Sequence, residues 1–321
     1  MTAKIELHLH IEGATPPALA REVAARKGID TAGMFAPDGG YAWEDFSDFL
    51  RAYDRVAALF TTPEDHRQLA EAVLRECAKH GVIYAELAIS SDHVAQGDPA
   101  RWAEYLAAIT EGAEAAEAAV GIKANFIATT IRHLGPERAA KAARLAVDCA
   151  HPRVTGLGLA GDERLFHPAD FAPAFDIARE GGLKLTAHAG EACGPESVRD
   201  ALDALKLDRV DHGVRAIEDP ALLARIIDEE IHLATCPGSN VALMTYRDWR
   251  EHPIGQLRAM GAKASVSTDD PPFFHTDMTR EYVELTSAFG WGEAEFAAIA
   301  RDALAAAFCD EATRAELAAR L

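Results

Sequence analysis

The sequence predicts a parallel (β/α)8 barrel, an α/β fold of the TIM type, with a helical insertion after its first strand and extra helices at its C-terminal end. Three observations predict it. Short apolar runs of β character alternate with longer Ala-rich segments of helical period from one end of the chain to the other. There are eight such runs, and no Gly/Ser/Pro-rich linker interrupts the series. Regular alternation implies parallel strands joined by crossover helices, and eight units without a linker suit a closed barrel better than an open doubly wound sheet. Residues 1–321 are therefore expected to form a single barrel domain.

In chain order, strands are expected at Lys4 to Ile11, Val82 to Ser90, Lys123 to Ile131, Val154 to Gly161, Lys184 to Glu191, Arg209 to Val214, Ile231 to Ser239 and Lys263 to Pro271. Between them lie helical stretches at Pro63 to His80, Pro99 to Val120, Pro136 to Cys149, Pro168 to Gly181, Ser197 to Leu205, Pro220 to Glu230 and Pro253 to Met260. Several open with Pro, whose fixed φ and missing N–H suit a first helical turn. Pro16 to His80 is longer than one crossover. It reads as an insertion of two or three helices, broken at Asp38-Gly39-Gly40 and expected to lie over the top of the barrel. After the eighth strand, Met278 to Phe289, Glu293 to Phe308 and Asp310 to Leu321 again exceed one crossover and read as a helical appendage.

Composition excludes several function classes. With 32 Lys and Arg against 51 Asp and Glu, the formal net charge is −19, which does not supply the cationic groove that phosphate neutralisation needs. A hydrophobic fraction of 49% with 26% charged residues is that of a globular chain. No uncharged run approaches the ~20 residues that cross a bilayer, and MTAKIELHLH is not a secretory leader, so a cytoplasmic protein with no membrane partner is expected. Cys77, Cys149, Cys193, Cys236 and Cys309 lie far apart and are odd in number, and they read as reduced thiols.

The chemically capable residues fall at the C-terminal ends of the strands, which converge on one face of a parallel barrel. In Glu6-Leu7-His8-Leu9-His10-Ile11-Glu12-Gly13 the two-residue period of a strand sends His8 and His10 to one side. Two imidazoles so placed suit one Zn²⁺ or a related ion, although an HxH pair alone is equally a surface pair. The fifth strand ends in His188-Ala189-Gly190-Glu191, the sixth in Asp211-His212-Gly213 and the eighth in Ser267-Thr268-Asp269-Asp270-Pro271. Taken singly, each has a bland reading: a solvated Glu, a structural His, a helix cap for one Asp. Adjacent acids would repel without a cation or a shared proton. Taken jointly, three histidines and an aspartate make a coordination set, with a His and a Glu left for proton transfer. Binuclear barrel hydrolases bridge their ions with a lysine of the fourth strand, and VTGLGLAG has none, so one metal is expected.

HLHIEG, LAGDE, TAHAGE, RVDHGVR, CPGSNVAL and STDDP, in that order over essentially the whole chain, resemble the motifs of the adenosine and adenine deaminases, zinc-dependent members of the amidohydrolase superfamily. The resemblance implies one Zn²⁺ per chain on His8, His10, His188 and Asp269, with Glu191 protonating N1 of a purine. It also implies that His212 orients and deprotonates the attacking water, that Asp270 holds that water, and that the Gly161 N–H meets purine N3. Asp162 and Glu163 are left to shape a loop. The partner is then a small purine, nucleoside or base.

For the substrate, two signals conflict. Glu12 stands where nucleoside-acting members often carry Asp, which leans towards the free base, whereas STDDPPFF and HAGEACGPES look nucleoside-type. The expectation taken here is adenosine and 2′-deoxyadenosine, deaminated to inosine and ammonia in purine salvage, with Glu12 accepting from a ribose hydroxyl. Adenine is the alternative. Another mononuclear-zinc amidohydrolase, or a barrel that binds without catalysis, would lack a use for Glu191. Arg132, His133, Tyr246, Trp249 and His275 read as packing or surface, and Cys236 as buried filler.

Overall fold

The computed structural model describes residues 2–321. Eight strands, β1 (Lys4–His10), β2 (Val82–Ile89), β3 (Lys123–Ile131), β4 (Val154–Ala160), β5 (Lys184–Ala189), β6 (Arg209–His212), β7 (His232–Thr235) and β8 (Ala264–Val266), pair in chain order. Every neighbouring pair is parallel. The ends of the series meet at the mouth, where the His10 N–H donates to the Asp269 carbonyl (3.1 Å) and the Asp269 N–H to the His8 carbonyl (3.2 Å). The expected barrel is present, nearly closed. Its thinnest seam is β8–β1, a single parallel bridge at Leu9–Asp269, and the next thinnest is β4–β5, paired at Gly156–Lys184 and Leu157–Leu185.

The last two strands are shorter than the sequence suggests. After Thr235 the chain turns at Pro237, which opens a short helix, Pro237–Ala242, because proline presets φ for a first turn and cannot continue a ladder. β8 stops at Val266, and Asp269 then takes φ +65°, a left-handed conformation incompatible with a strand.

The insertion contains helices Pro17–Lys27, Phe46–Ala57 and Pro63–Lys79, the last opened by a Thr62/Asp65 capping box. Its aromatic face covers the mouth. Tyr41 stacks on Phe273 at 4.3 Å, Phe49 packs on Phe273 and Phe274, and the Trp43 indole N–H donates to the Phe273 carbonyl (2.8 Å). Phe273 is fully buried, and burial of such a ring stabilises by about 2–3 kcal/mol, so this lid is anchored rather than loose.

The C-terminal helices Met278–Phe289, Glu293–Ala306 and Glu311–Ala318 run past the opposite end. The segment between the last two closes the floor: the Phe308 N–H donates to Glu86 and its ring lies 4.2 Å below the Arg209 guanidinium. Gly156 permits this, since a Cβ there would sit 2.9 Å from the Phe308 ring. Among the described residues no helix is long and apolar enough to cross a membrane.

Candidate metal centre and active site

Four side chains from β1, β5 and the turn after β8 converge. His8 Nε2 lies 3.1 Å and His10 Nε2 3.3 Å from Asp269 Oδ1, and the His10 and His188 Nε2 atoms are 3.3 Å apart. All four ligand atoms lie within 4.8 Å of one another, close enough to share one ion. The tautomers suit it. His188 Nδ1 donates to the Leu159 carbonyl (2.9 Å), which leaves the Nε2 lone pair facing His10. Burial and the surrounding imidazoles His8 and His212 hold His188 well below its usual range, hence neutral and able to ligate. An overlapping set, His8, His212, Cys236 and Asp269, is also compact, but neither His212 nor Cys236 lines the cavity of about 270 Å³ at the mouth, whereas His10, His188 and Asp269 do.

Supporting groups surround the set. His8 Nδ1 is 3.3 Å from Asp211, which also accepts from Thr186 Oγ1 (2.7 Å), and Ser239 Oγ donates to Asp269 Oδ2 (2.7 Å). Burial opposes a charge on His8, yet Asp211 and Asp269 together raise it to about 10, so a cation would have to displace that proton.

The mouth opens into a cavity of about 270 Å³ lined by His10, Gly161, His188, Glu191, Asp269 and Asp270, with Phe46, Phe49, Leu50, Tyr53 and Phe274 of the cover opposite. Burial, and then the Asp269 and Glu163 carboxylates, push Glu191 well above the ordinary carboxylate range, so it holds a proton. His212 lies behind it, fully buried, with Nε2 3.7 Å from Glu191 and 3.9 Å from Asp269. Among the described residues neither of its ring nitrogens has a hydrogen-bond partner, its φ is +61°, and burial lowers it to about 4. A strained, bare base beside a metal set is the mark of a reactive site rather than of packing. Asp270 is buried with Oδ1 unpartnered, and Gly13 makes room for it: a Cβ at 13 would lie 1.5 Å from that oxygen. The final glycine of HLHIEG thus has a steric reason.

Glu12 is linked to this cavity through Tyr53, which lines it. It lines an adjoining cavity of about 420 Å³, its Oε2 accepting from the Tyr53 hydroxyl (3.0 Å) and its buried Oε1 unpartnered. A larger cavity, about 440 Å³, borders Glu6, Cys77 and Met278, but none of His8, His10, His188 and His212 faces it, so size does not identify the site. Sequence reasoning missed Tyr53, Ser239, Asp211 and Arg132. Arg132 is buried and donates to the His188 carbonyl (3.3 Å), and its neighbour His133 lines the 270 Å³ cavity, so neither is idle surface. Only Ser239, inside CPGSN, and Asp211, beside His212, stood within a recognisable motif.

A parallel barrel that gathers three imidazoles, a carboxylate and a protonated acid at its strand ends defines a metal-dependent aminohydrolase. The chain belongs to the adenosine/adenine deaminase family of metallo-dependent amidohydrolases: the profile described as "Adenosine deaminase" matches residues 3–321. It is 50% identical over 321 residues to an adenine deaminase of Agrobacterium fabrum, covering 99% of this chain and 97% of the relative. An adenine deaminase structure from Arthrobacter aurescens superimposes with TM-score 0.90 at 27% identity, covering 100% of this chain and 98% of that one. An amidohydrolase from Burkholderia ambifaria, with bound Zn, gives TM-score 0.87 at 27% identity, covering 99% and 89%.

These relatives overturn the expectation of adenosine. One of the signals that favoured the nucleoside has another physical source. Phe273 and Phe274 of STDDPPFF are buried under the insertion, so they report on the cover and not on a sugar. Glu12, which leaned towards the free base, accepts from the Tyr53 hydroxyl through Oε2 alone, and among the described residues its Oε1 has no donor.

Proposed function

We propose that the chain hydrolytically deaminates adenine to hypoxanthine and ammonia. The observation that carries the chemistry is the meeting of Glu191 with the His8, His10, His188 and Asp269 set in one cavity. The choice of the free base rests on the full-length likeness to adenine deaminases. The donor set fits Zn²⁺, one ion per chain, held by His8, His10, His188 and Asp269. Bound there, the ion would generate a nucleophile by lowering the pKa of water to about 7.

Addition at C6 destroys ring conjugation, so N1 must gain a proton as C6 becomes tetrahedral. Glu191, kept protonated by burial, donates it. His212 Nε2, bare and neutral, takes a proton from the attacking water, and Asp270 Oδ1 accepts the hydrogen bond that orients that water. The Gly161 N–H meets N3, at a backbone position whose φ of +99° suits glycine. Glu12 Oε1 is a buried acceptor without a donor, and free adenine carries an imidazole N–H that a nucleoside has lost. His212 then passes its proton to the departing amino group and the C6 hydroxyl proton returns to Glu191, so ammonia leaves and the 6-oxopurine remains.

Incubating zinc-loaded protein with adenine, adenosine and 2′-deoxyadenosine, following purine absorbance and released ammonia, tests this. Adenine is expected to exceed both nucleosides in kcat/KM by at least about 100-fold, the discrimination available to a site that pairs a buried polar group. Comparable or faster turnover of adenosine would refute the assignment.

A further inference from the structure

Glu163 closes the LAGDE motif just beyond β4. Its carboxylate is buried, and it accepts from four successive backbone N–H groups: Gly190, Glu191 (3.1 Å), Ala192 (2.7 Å) and Cys193 (2.8 Å). Ser197 Oγ, in the first turn of the helix Pro195–Leu205, donates to it as well. Successive N–H groups aimed at one point form an anion nest, and here a side chain of the same protein fills it. The backbone is otherwise tied only at its start, through the Gly213 N–H to the Ala189 carbonyl (2.9 Å) and the Arg215 N–H to the Gly190 carbonyl (3.1 Å).

Among the described residues the Glu191 carboxyl makes no hydrogen bond, and His212 Nε2 lies 3.7 Å from it. Its position is therefore set by its backbone, and from Glu191 to Cys193 that backbone is held by Glu163. We infer that Glu163 is a positioning residue, which folds the turn after β5 around its carboxylate and so aims Glu191 at the ring nitrogen of the substrate. The inference rests on the reading of Glu191 as the ring acid. The placement has an electrostatic consequence too: the Glu163 carboxylate, beside burial and Asp269, helps to keep Glu191 protonated.

A double-mutant cycle on the zinc-loaded protein tests it, with adenine as substrate and kcat and KM read separately. Glu163→Gln keeps the shape but turns an NH2 towards the nest in place of one accepting oxygen. A misplacement of about 1 Å costs about 100-fold in rate, so kcat is expected to fall about 100-fold, with KM and zinc content changed less than about threefold. In a Glu191→Gln background the same substitution is expected to cost less than about threefold, because the group it aims is gone. Ser197→Ala removes one donor to Glu163 without touching the turn. It is expected to lower kcat about fivefold in the wild type and not in Glu191→Gln, so it carries the cycle if Glu163→Gln does not fold. Equal losses in both backgrounds, or no loss in the wild type, overturn the positioning role. Full turnover by Glu191→Gln alone overturns the acid itself, and the inference with it.

Discussion

At the floor of the barrel Arg209 Nη2 lies 2.8 Å from Glu86 Oε2, off the line of a hydrogen bond but in close ion pairing, and its Nε is 3.8 Å from Asp211. Glu86 Oε1 there accepts from the Tyr84 hydroxyl and the Phe308 N–H. At the mouth, by contrast, His212 has two bare nitrogens and Asp270 and Glu12 one bare oxygen each, while His212 and Asp269 carry positive φ. Both ends bury charge. Charge at the floor meets its opposite, while the ionisable groups just named at the mouth lack partners at a cost in stability. Unmatched, strained polar groups persist where a substrate or an ion completes them, whereas matched ones serve the fold. Asp211 joins the two regions, 3.3 Å from His8 on one side and 3.8 Å from Arg209 on the other.

The contrast can be broken most forcefully at the metal set. His188→Ala is expected to remove bound zinc and to lower turnover by about 10⁴-fold or more, read by metal analysis and adenine turnover on the same sample. Full zinc occupancy in that variant would remove His188 from the ligand set. A smaller effect is expected at the edge of the mouth. Tyr53→Phe deprives Glu12 of its single side-chain donor, and a hydrogen bond to a charged group is worth about 1.5–3 kcal/mol. The expected result is a rise of about tenfold in KM for adenine with little change in kcat, and an unchanged KM would separate Glu12 from substrate binding.

The smallest effect concerns pH. Glu281 accepts from the Gly238 N–H and from Thr276 Oγ1, so it braces the turn that presents Ser239 to Asp269. Burial raises its carboxyl from 4.5 to about 8, and Glu6 moves the same way, to about 7. Between these limits the folded state holds protons that the unfolded state has lost, so stability should fall as pH rises from about 4.5 to about 8 and level off above. Glu281→Gln is expected to flatten that dependence by a few degrees in Tm, measured at pH 5 and pH 8. An identical slope in the variant would assign it to other groups.

Much of the mouth was legible in the sequence because strand ends carry direction. HLH places two side chains by the two-residue period of a strand, HAGE, DHG and STDDP place theirs at or just past strand ends, and the alternation of strands and helices brings those ends together. What comes from the insertion was not legible. Tyr53 meets Glu12 across 41 residues, with no local pattern linking them, and the aromatic pair after STDDP reports packing where it suggested specificity. The extents of β7 and β8 were overread for a related reason. Apolar character continues through Cys236 and Pro237, but backbone geometry changes first. The clamp at Glu163 depends on backbone N–H groups, which every residue shares and which therefore leave no mark in a sequence.

The most direct measurement sets one variant from each end side by side, Asp270→Asn at the mouth and Glu86→Gln at the floor, with kcat and the urea midpoint determined for both. Asp270→Asn is expected to lose at least about 100-fold in kcat while unfolding no more easily than the wild type, since an unmatched buried carboxyl has been relieved. Glu86→Gln strands Arg209 and is expected to lose about 3 kcal/mol of stability, with kcat within about threefold of the wild type. If Asp270→Asn weakens the fold while turnover holds, or if Glu86→Gln cuts kcat with stability intact, the division of buried charge between a working mouth and a structural floor is contradicted.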